Sequence, residues 1–171
     1  MSIAAAAELD PPGNVKWRYN YCHMARRAAR TVSRRIARAL GGARVVGATT
    51  AEGLEVRLRE GLPFASLTAV ASGFAIEPAE LTRILHLPAR TLARRKKATR
   101  LRADESDRLF RLGRIAALAE ETLGNREKAG RWLHAPNVAL GGRAPLTLLD
   151  TDPGARQVED VLLRIAHGVV S

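Results

Sequence analysis

Apolar residues recur three and four positions apart along most of this chain, which is the spacing of an amphipathic helix. The longest such pattern begins at Asp104, which we expect to cap the helix, and ends at Gly124. Only residues 50–60 are ambiguous, because their apolar side chains also alternate as in a strand, and the helical neighbours favour a helix. Further helices are predicted at about residues 25–40, 50–60, 63–74, 78–85, 89–97, 127–133, 144–150 and 154–167. The pattern therefore predicts an all-α fold.

Charge is unevenly distributed along the 171 residues, whose formal net charge is +11. Residues 1–60 carry 11 basic and 5 acidic side chains (+6), residues 61–103 carry 8 and 2 (+6), and residues 104–171 carry 9 and 10 (−1). A positive excess that stops near Arg102 favours a polyanionic partner for the first two parts of the chain and another kind of partner for the third. A solvated basic surface without a ligand is the alternative.

These changes in composition predict three parts. Residues 1–48 are rich in Ala, Gly, Pro and Arg, and we expect them to be basic and flexible unless their helix meets DNA or a protein partner. Residues 49–103 are expected to form a DNA-binding domain. Residues 104–171 are expected to form a second, small helical domain.

Residues 78–97 have the pattern of a helix-turn-helix unit. One helix begins at Pro78, and the next helix has Leu92 directed at the core. Between them, Leu87 is expected to lock the two helices together. His86 stands where such turns usually have glycine, and histidine is among the residues that tolerate φ > 0.

The second helix of this unit and the residues after it are basic, and residues 81–103 contain no acid. Arginine pairs with guanine and threonine meets the thymine methyl group, whereas further cations position the protein on phosphates. We predict base contacts by Arg90, Thr91, Arg94 and Arg95, and phosphate contacts by Lys96, Lys97, Arg100 and Arg102. One recognition helix reads few base pairs, so a two-fold homodimer on a palindromic operator is expected.

The segment from Arg131 to Ser171 combines turn residues with leucines. Pro136, Gly141-Gly142, Pro145 and Pro153-Gly154 demand a specific backbone path, because glycine permits φ > 0 and proline fixes φ. A solvated tail would not need the leucines between these turns, so a folded module is predicted.

The same segment carries a family resemblance. Its order of residues resembles the toxin-binding domain of the Xre/MbcA/ParS antitoxins, which partner RES-domain toxins in bacteria. The segment TLARRKK and the following LRADESDRLFRL are similar to the sequence that precedes this domain, so the resemblance covers about residues 61–171. The residues that carry it are Trp132-Leu133, Pro136-Asn137, Leu140-Gly141-Gly142, Pro145-Leu146, Leu149, Thr151, Gly154, Val158-Glu159, Leu162 and Arg164-Ile165-x-His167-Gly168.

The resemblance implies an antitoxin that blocks the active site of an NAD-consuming RES toxin and represses its own operon. The carboxyl end of such antitoxins enters the toxin cleft, and we hypothesise that the terminal carboxylate occupies a cationic pocket there. The toxin-binding residues expected are Trp132, Asn137, Leu140, Gly142, Arg143, Arg156, His167, Gly168, Val169, Val170 and Ser171. The residues themselves leave open whether the tail or the loop around Asn137–Arg143 holds the toxin, whether Trp132 is only a core residue, and whether the last residues fray.

Sites of chemistry are few in this sequence. The four histidines are scattered, the acidic pairs suit helix caps and solvated faces, and Gly141-Gly142-Arg143 lacks the strand and the Lys-Ser/Thr of a phosphate loop. We therefore expect no catalysis, cofactor or metal. A single cysteine and the lack of a long apolar run favour a cytoplasmic protein without a membrane span. The alternatives are a stand-alone transcription regulator with a dimerisation or sensor domain, and a nucleoid-type, non-specific DNA binder.

Overall fold

The computed structural model describes residues 29–168, and the regular elements among them are helical, as predicted. Two short 3-10 turns, at Val138–Leu140 and Pro145–Leu148, lie between the last two helices, so the helix expected at 144–150 is only such a turn. The α-helices are α1 (residues 29–39), α2 (Ala43–Val46), α3 (Ala51–Glu60), α4 (Phe64–Gly73), α5 (Pro78–Ile84), α6 (Ala89–Ala98), α7 (Ala103–Leu123), α8 (Arg126–His134) and α9 (Asp152–Ala166).

Side-chain caps define where several helices begin. Thr50, Asn125 and Thr151 each accept a hydrogen bond from a backbone amide in the first turn of α3, α8 and α9. Such caps satisfy amides that have no partner within the helix. Polar residues that interrupt the apolar pattern thus set the bounds of these helices.

The start of α7 differs from the prediction that Asp104 caps it. The helix begins at Ala103, and the amide of Arg102 donates to the Glu105 carboxylate over 2.8 Å. Glu105 is buried, whereas the sequence suggested a solvated acid. The reason is a basic side chain from α6 that meets it, described below.

Helix α7 is the scaffold of the molecule, because α3, α8 and α9 all pack against it. Its buried face includes Leu109, Leu112 and Ile115, each at most 1% exposed. Burial of such side chains stabilises the fold by about 2 kcal/mol each. Both the amino-terminal helices and the terminal module therefore depend on one helix.

Helix α1 belongs to this core. Ile36, Ala37 and Leu40 are buried, and Leu40 packs where Gly113 of α7 leaves room for it. Arg35 also forms an ion pair with Glu121 of α7. The sequence analysis expected a flexible segment here, whereas this helix packs one face against α7 through Leu40 and Arg35. Residues 1–28 lie outside the described residues.

Direct hydrogen bonds join α5 and the turn after it to the segment between α8 and α9. Arg83 of α5 donates to the carbonyl oxygens of Leu146 (3.1 Å) and Thr147 (2.9 Å). His86 Nε2 lies 2.9 Å from the carbonyl oxygen of Asp150. The turn between α5 and α6 is thereby attached to the segment that precedes α9.

Candidate functional site

Helices α5 and α6 form the helix-turn-helix expected from the sequence. His86 has φ +52°, so histidine occupies the left-handed position of the turn. Leu87 is 5% exposed, and Leu92 packs against the core from α6. The apolar residues thus hold α6 by one side and leave its other side to solvent.

The open side of α6 is cationic. Arg90, Arg94, Lys96 and Lys97 are exposed, and none has an acidic partner within 4 Å among the residues that the structure describes. A row of unpaired cations on one helix suits phosphates and guanine edges.

The remaining predicted DNA contacts lie around these four residues. Thr91 is half-buried, and Arg102 is exposed just before α7. Arg100 is exposed, with a long hydrogen bond of 3.4 Å to the carbonyl oxygen of Glu60. Arg100 and Arg102 are therefore accessible to a ligand, and Thr91 is accessible in part.

Arg95 has a different role from the one predicted. Its Nε lies 2.9 and 2.7 Å from the two carboxylate oxygens of Glu105, and the side chains are 14% and 3% exposed. The sequence analysis expected Arg95 to read bases, whereas the structure directs its Nε–H toward the first turn of α7. The signal that was missed is Glu105, ten residues after Arg95.

This pair has an electrostatic consequence. Burial by itself raises the pKa of Glu105, but hydrogen bonds from Arg95 and from the Arg102 amide outweigh burial and hold the pKa of this carboxyl below its usual range. The hydrogen bond with Glu105 likewise raises the pKa of Arg95 above its ordinary value. Both groups are therefore charged at neutral pH, and they join α6 to α7.

The second candidate surface is the loop between α8 and the Pro145–Leu148 turn. The Asn137 amide donates to the carbonyl oxygen of Arg143 (3.1 Å), and the Gly142 amide donates to that of Asn137 (2.9 Å). The Asn137 side chain accepts from the amide of Ala139 (2.9 Å). Gly141 and Gly142 have φ +67° and +75°, which residues with a Cβ rarely adopt. Backbone hydrogen bonds therefore define the shape of this loop.

The loop buries one apolar residue and exposes others. Leu140, which we predicted to contact a toxin, is 4% exposed and belongs to the core, where it anchors the loop. Val138, which sequence reasoning missed, is 95% exposed. With the exposed Ala135, Pro136 and Ala139 it forms an apolar tip, a name we keep for these four residues. Adjacent exposed apolar residues are a feature of binding surfaces.

The other predicted toxin-binding residues differ in exposure. Trp132 is half-buried and packs against the core. Arg143 is exposed and donates from Nε to the carbonyl oxygen of Leu140 (3.2 Å), while Arg156 pairs with Asp152 (2.9 Å).

The end of α9 is exposed as well. His167 is exposed, and Gly168 follows it with φ +69°, as expected for the residue after a helix end. Val169, Val170 and Ser171 lie outside the described residues.

Residues 29–168 contain neither a metal-binding cluster of side chains nor a membrane-spanning helix. In that range no three His, Cys, Asp or Glu side chains are grouped so that they could hold a metal ion. No helix there is long and apolar enough to cross a membrane.

Comparison with known proteins agrees with this division into two surfaces. Residues 54–114 match the Antitoxin Xre-like helix-turn-helix domain, and residues 118–168 match the Antitoxin Xre/MbcA/ParS C-terminal toxin-binding domain. The chain is 38% identical to an Antitoxin Xre of Pseudomonas putida over 67% of this chain and 72% of that protein. It is 33% identical to an Antitoxin Xre of Photorhabdus laumondii over 75% and 89%, and 37% identical to one of Yersinia enterocolitica over 57% and 67%.

The exposed face of α6 lies within the first match, and the Asn137–Arg143 loop and α9 lie within the second. The helix-turn-helix and the resemblance seen in the sequence are thereby confirmed. The chain belongs to the Xre/MbcA/ParS family, as an antitoxin of a toxin–antitoxin system that carries a helix-turn-helix domain.

Proposed function

We propose that this antitoxin neutralises a RES-domain toxin that degrades NAD, and that it represses the operon that encodes the toxin and the antitoxin. Both proteins are proposed to act in the cytoplasm. The family supports a toxin partner, and the resemblance to antitoxins of RES toxins supports the class of toxin. The main observation in favour of a toxin-binding surface is the loop Asn137–Arg143. Val138 in this loop is 95% exposed, and backbone hydrogen bonds within the loop define its shape.

A loop of defined shape favours binding because little conformational entropy is lost when it meets its partner. The apolar tip is flanked by the exposed cations Arg131 and Arg143. An apolar centre with a charged rim is the usual composition of a protein interface. We therefore propose that the apolar tip enters an apolar depression of the toxin that is bordered by acidic side chains.

The carboxyl end is proposed to act at the toxin's active site. Gly168 is exposed at the end of α9, so the three residues after it start from an accessible position. We propose that residues 169–171 bind in the toxin's active site, while the loop provides affinity.

On the DNA side, we propose that Arg90, Thr91 and Arg94 read bases of an operator upstream of the coding sequence. Lys96, Lys97, Arg100 and Arg102 contact phosphates. A two-fold homodimer would place two copies of α6 on the two halves of a palindrome. The exposed, unpaired cations of α6 support this proposal.

Co-expression with the adjacent reading frame tests the proposal. The adjacent product should deplete cellular NAD when expressed alone, co-purify with this chain, and be inhibited by it. An antitoxin without residues 169–171 should still co-purify and still bind operator DNA, but NAD depletion should return. Unchanged inhibition by the truncated protein would refute the role of the tail. An adjacent product that neither consumes NAD nor co-purifies would refute the toxin assignment and favour a stand-alone regulator.

A further inference from the structure

Helix α1 carries a row of arginines that has no role in the function described above. Arg30, Arg34 and Arg38 are spaced four residues apart and are exposed; we call them the arginine row. The opposite side of the helix, with Ile36 and Leu40, is buried against the rest of the protein. The packing of α1 therefore holds the three side chains on one outward face.

The arginine row lacks acidic partners. Among the described residues, no carboxylate lies within 4 Å of any of its three guanidinium groups, although Glu52 lines the same shallow depression as Arg30. Their neighbour Arg35 does have a partner, Glu121. Like charges one turn apart on a helix repel one another and lower its stability.

Some exposed arginines of residues 29–168 have carboxylate partners, whereas Arg44, Arg164 and the arginines on the open side of α6 do not. Arg59, Arg131 and Arg156 each pair with a carboxylate one turn earlier on the same helix. The arginine row is thus an uncompensated group of cations, which indicates a ligand that supplies the negative charge.

The helix that carries the arginine row contacts α7 beyond the point at which α6 is attached, with Leu40 against Gly113 and Arg35 paired with Glu121. Helix α6 is attached to α7 at Glu105, whereas α1 is attached to the same helix at Glu121, 16 residues further along. This separation corresponds to about 24 Å along α7. A distance of about 24 Å equals the length of roughly seven base pairs of DNA at 3.4 Å each. The row also precedes residue 54, where the match to the helix-turn-helix domain begins.

We propose that the arginine row is a second DNA-binding surface, which contacts phosphates of duplex DNA without reading sequence. The proposal rests on the proposed DNA binding by α6, because that helix brings a duplex to the protein. From Arg30 to Arg38 the row extends about 12 Å, the length over which one DNA strand carries three to four phosphates. A membrane surface is disfavoured, because a helix that lies on lipid needs an exposed apolar face, and that face of α1 is buried.

The full-length protein with Arg30→Gln, Arg34→Gln and Arg38→Gln tests this surface. The matched control is Arg57→Gln, Arg59→Gln and Arg114→Gln, which removes the same charge from arginines that already have carboxylate partners and lie outside both proposed binding surfaces. Fluorescence anisotropy would measure binding to a 40-base-pair duplex from upstream of the coding sequence and to a random duplex of equal composition, between roughly 50 and 200 mM salt, the range over which phosphate contacts change affinity most clearly.

For the arginine-row variant we expect a log–log salt slope that is smaller by about 2 to 3, because each phosphate contact contributes about 0.9. Affinity should fall about tenfold or more on both duplexes, while the preference for the upstream duplex persists. A slope and affinity equal to those of the control would refute the proposal and leave an acidic protein as the partner of α1. If base reading by α6 fails instead, the preference is absent in the parent protein, yet the effect of the arginine row on the random duplex remains measurable.

Discussion

Arg95 of the helix-turn-helix donates its Nε–H to the carboxylate of Glu105, with Nε 2.7 and 2.9 Å from the two oxygens, and Glu105 is only 3% exposed. The pair connects α6, the helix that presents the DNA-binding cations, to α7, on which the rest of the protein packs. The orientation of α6 therefore depends on an ion pair and not only on apolar contacts. We expect the loss of this ion pair to lower both the stability of the protein and its affinity for DNA.

Replacement of Glu105 by glutamine should lower the free energy of unfolding by about 2 to 4 kcal/mol, because Arg95 loses its charged partner in a mostly buried place. Chemical denaturation at neutral pH measures this. The control Arg156→Gln removes an exposed pair one turn apart and should cost at most about 0.5 kcal/mol. Equal effects of the two substitutions would contradict the role assigned to Glu105.

The stability that Glu105 provides should depend on pH. Its pKa is lowered in the folded protein, so its contribution is complete above the pKa of the unfolded chain, about 4.3, and is lost as the pH falls through the lower pKa of the folded protein. The stability difference between the parent and Glu105→Gln should therefore be constant from about pH 7 to 5 and shrink at lower pH. Denaturation curves of both proteins across this range test it; a difference that grows on acidification would show the opposite sign.

Gly154→Ala should destabilise the terminal module by about 2 kcal/mol or more. A Cβ at this position would overlap the carbonyl oxygen of Leu148. Gly53 is a matched control, since it also lies three residues after a threonine cap, but the atoms nearest to its Cβ would be the Thr50 Oγ1 at 3.0 Å and the Ala48 Cβ at 3.1 Å. Thermal unfolding should show a clear loss for Gly154→Ala and little change for Gly53→Ala.

Val138→Asp should weaken binding of the toxin by about tenfold or more, or roughly 1.4 kcal/mol, without a change in thermal stability. The physical reason is that a carboxylate would have to leave water at the centre of the proposed contact. Val56→Asp is the control, because Val56 is also an exposed valine but lies on α3, before the toxin-binding domain. Calorimetric titration would measure both, and equal affinities would place the toxin elsewhere.

Arg90→Ala and Arg94→Ala should each reduce binding to the operator by about 1 to 3 kcal/mol and reduce binding to random DNA less. Arg59→Ala, at an exposed and paired arginine outside the helix-turn-helix, should leave both unchanged. Competition assays with the two duplexes distinguish these results. An equal loss on both DNAs would mean that the two arginines contact phosphates only.

The periodic spacing of apolar residues was enough to predict an all-α fold, the helix-turn-helix and most helix bounds, because burial of one face and capping are local properties of a segment. The left-handed conformation of His86 was expected because histidine stands where such turns usually have glycine and tolerates φ > 0. The family resemblance also lay in the order of turn residues and leucines, which is written along the chain.

Only the tertiary structure decided which polar residues meet. Arg95 and Arg94 are neighbours of the same charge, yet Arg95 pairs with Glu105 in the first turn of α7 while Arg94 is exposed. Leu140 and Val138 are apolar residues of one loop, yet Leu140 is buried and Val138 is 95% exposed, because two left-handed glycines turn the backbone between α8 and α9. Such pairings and exposures depend on distances between segments, which the order of residues along the chain does not contain.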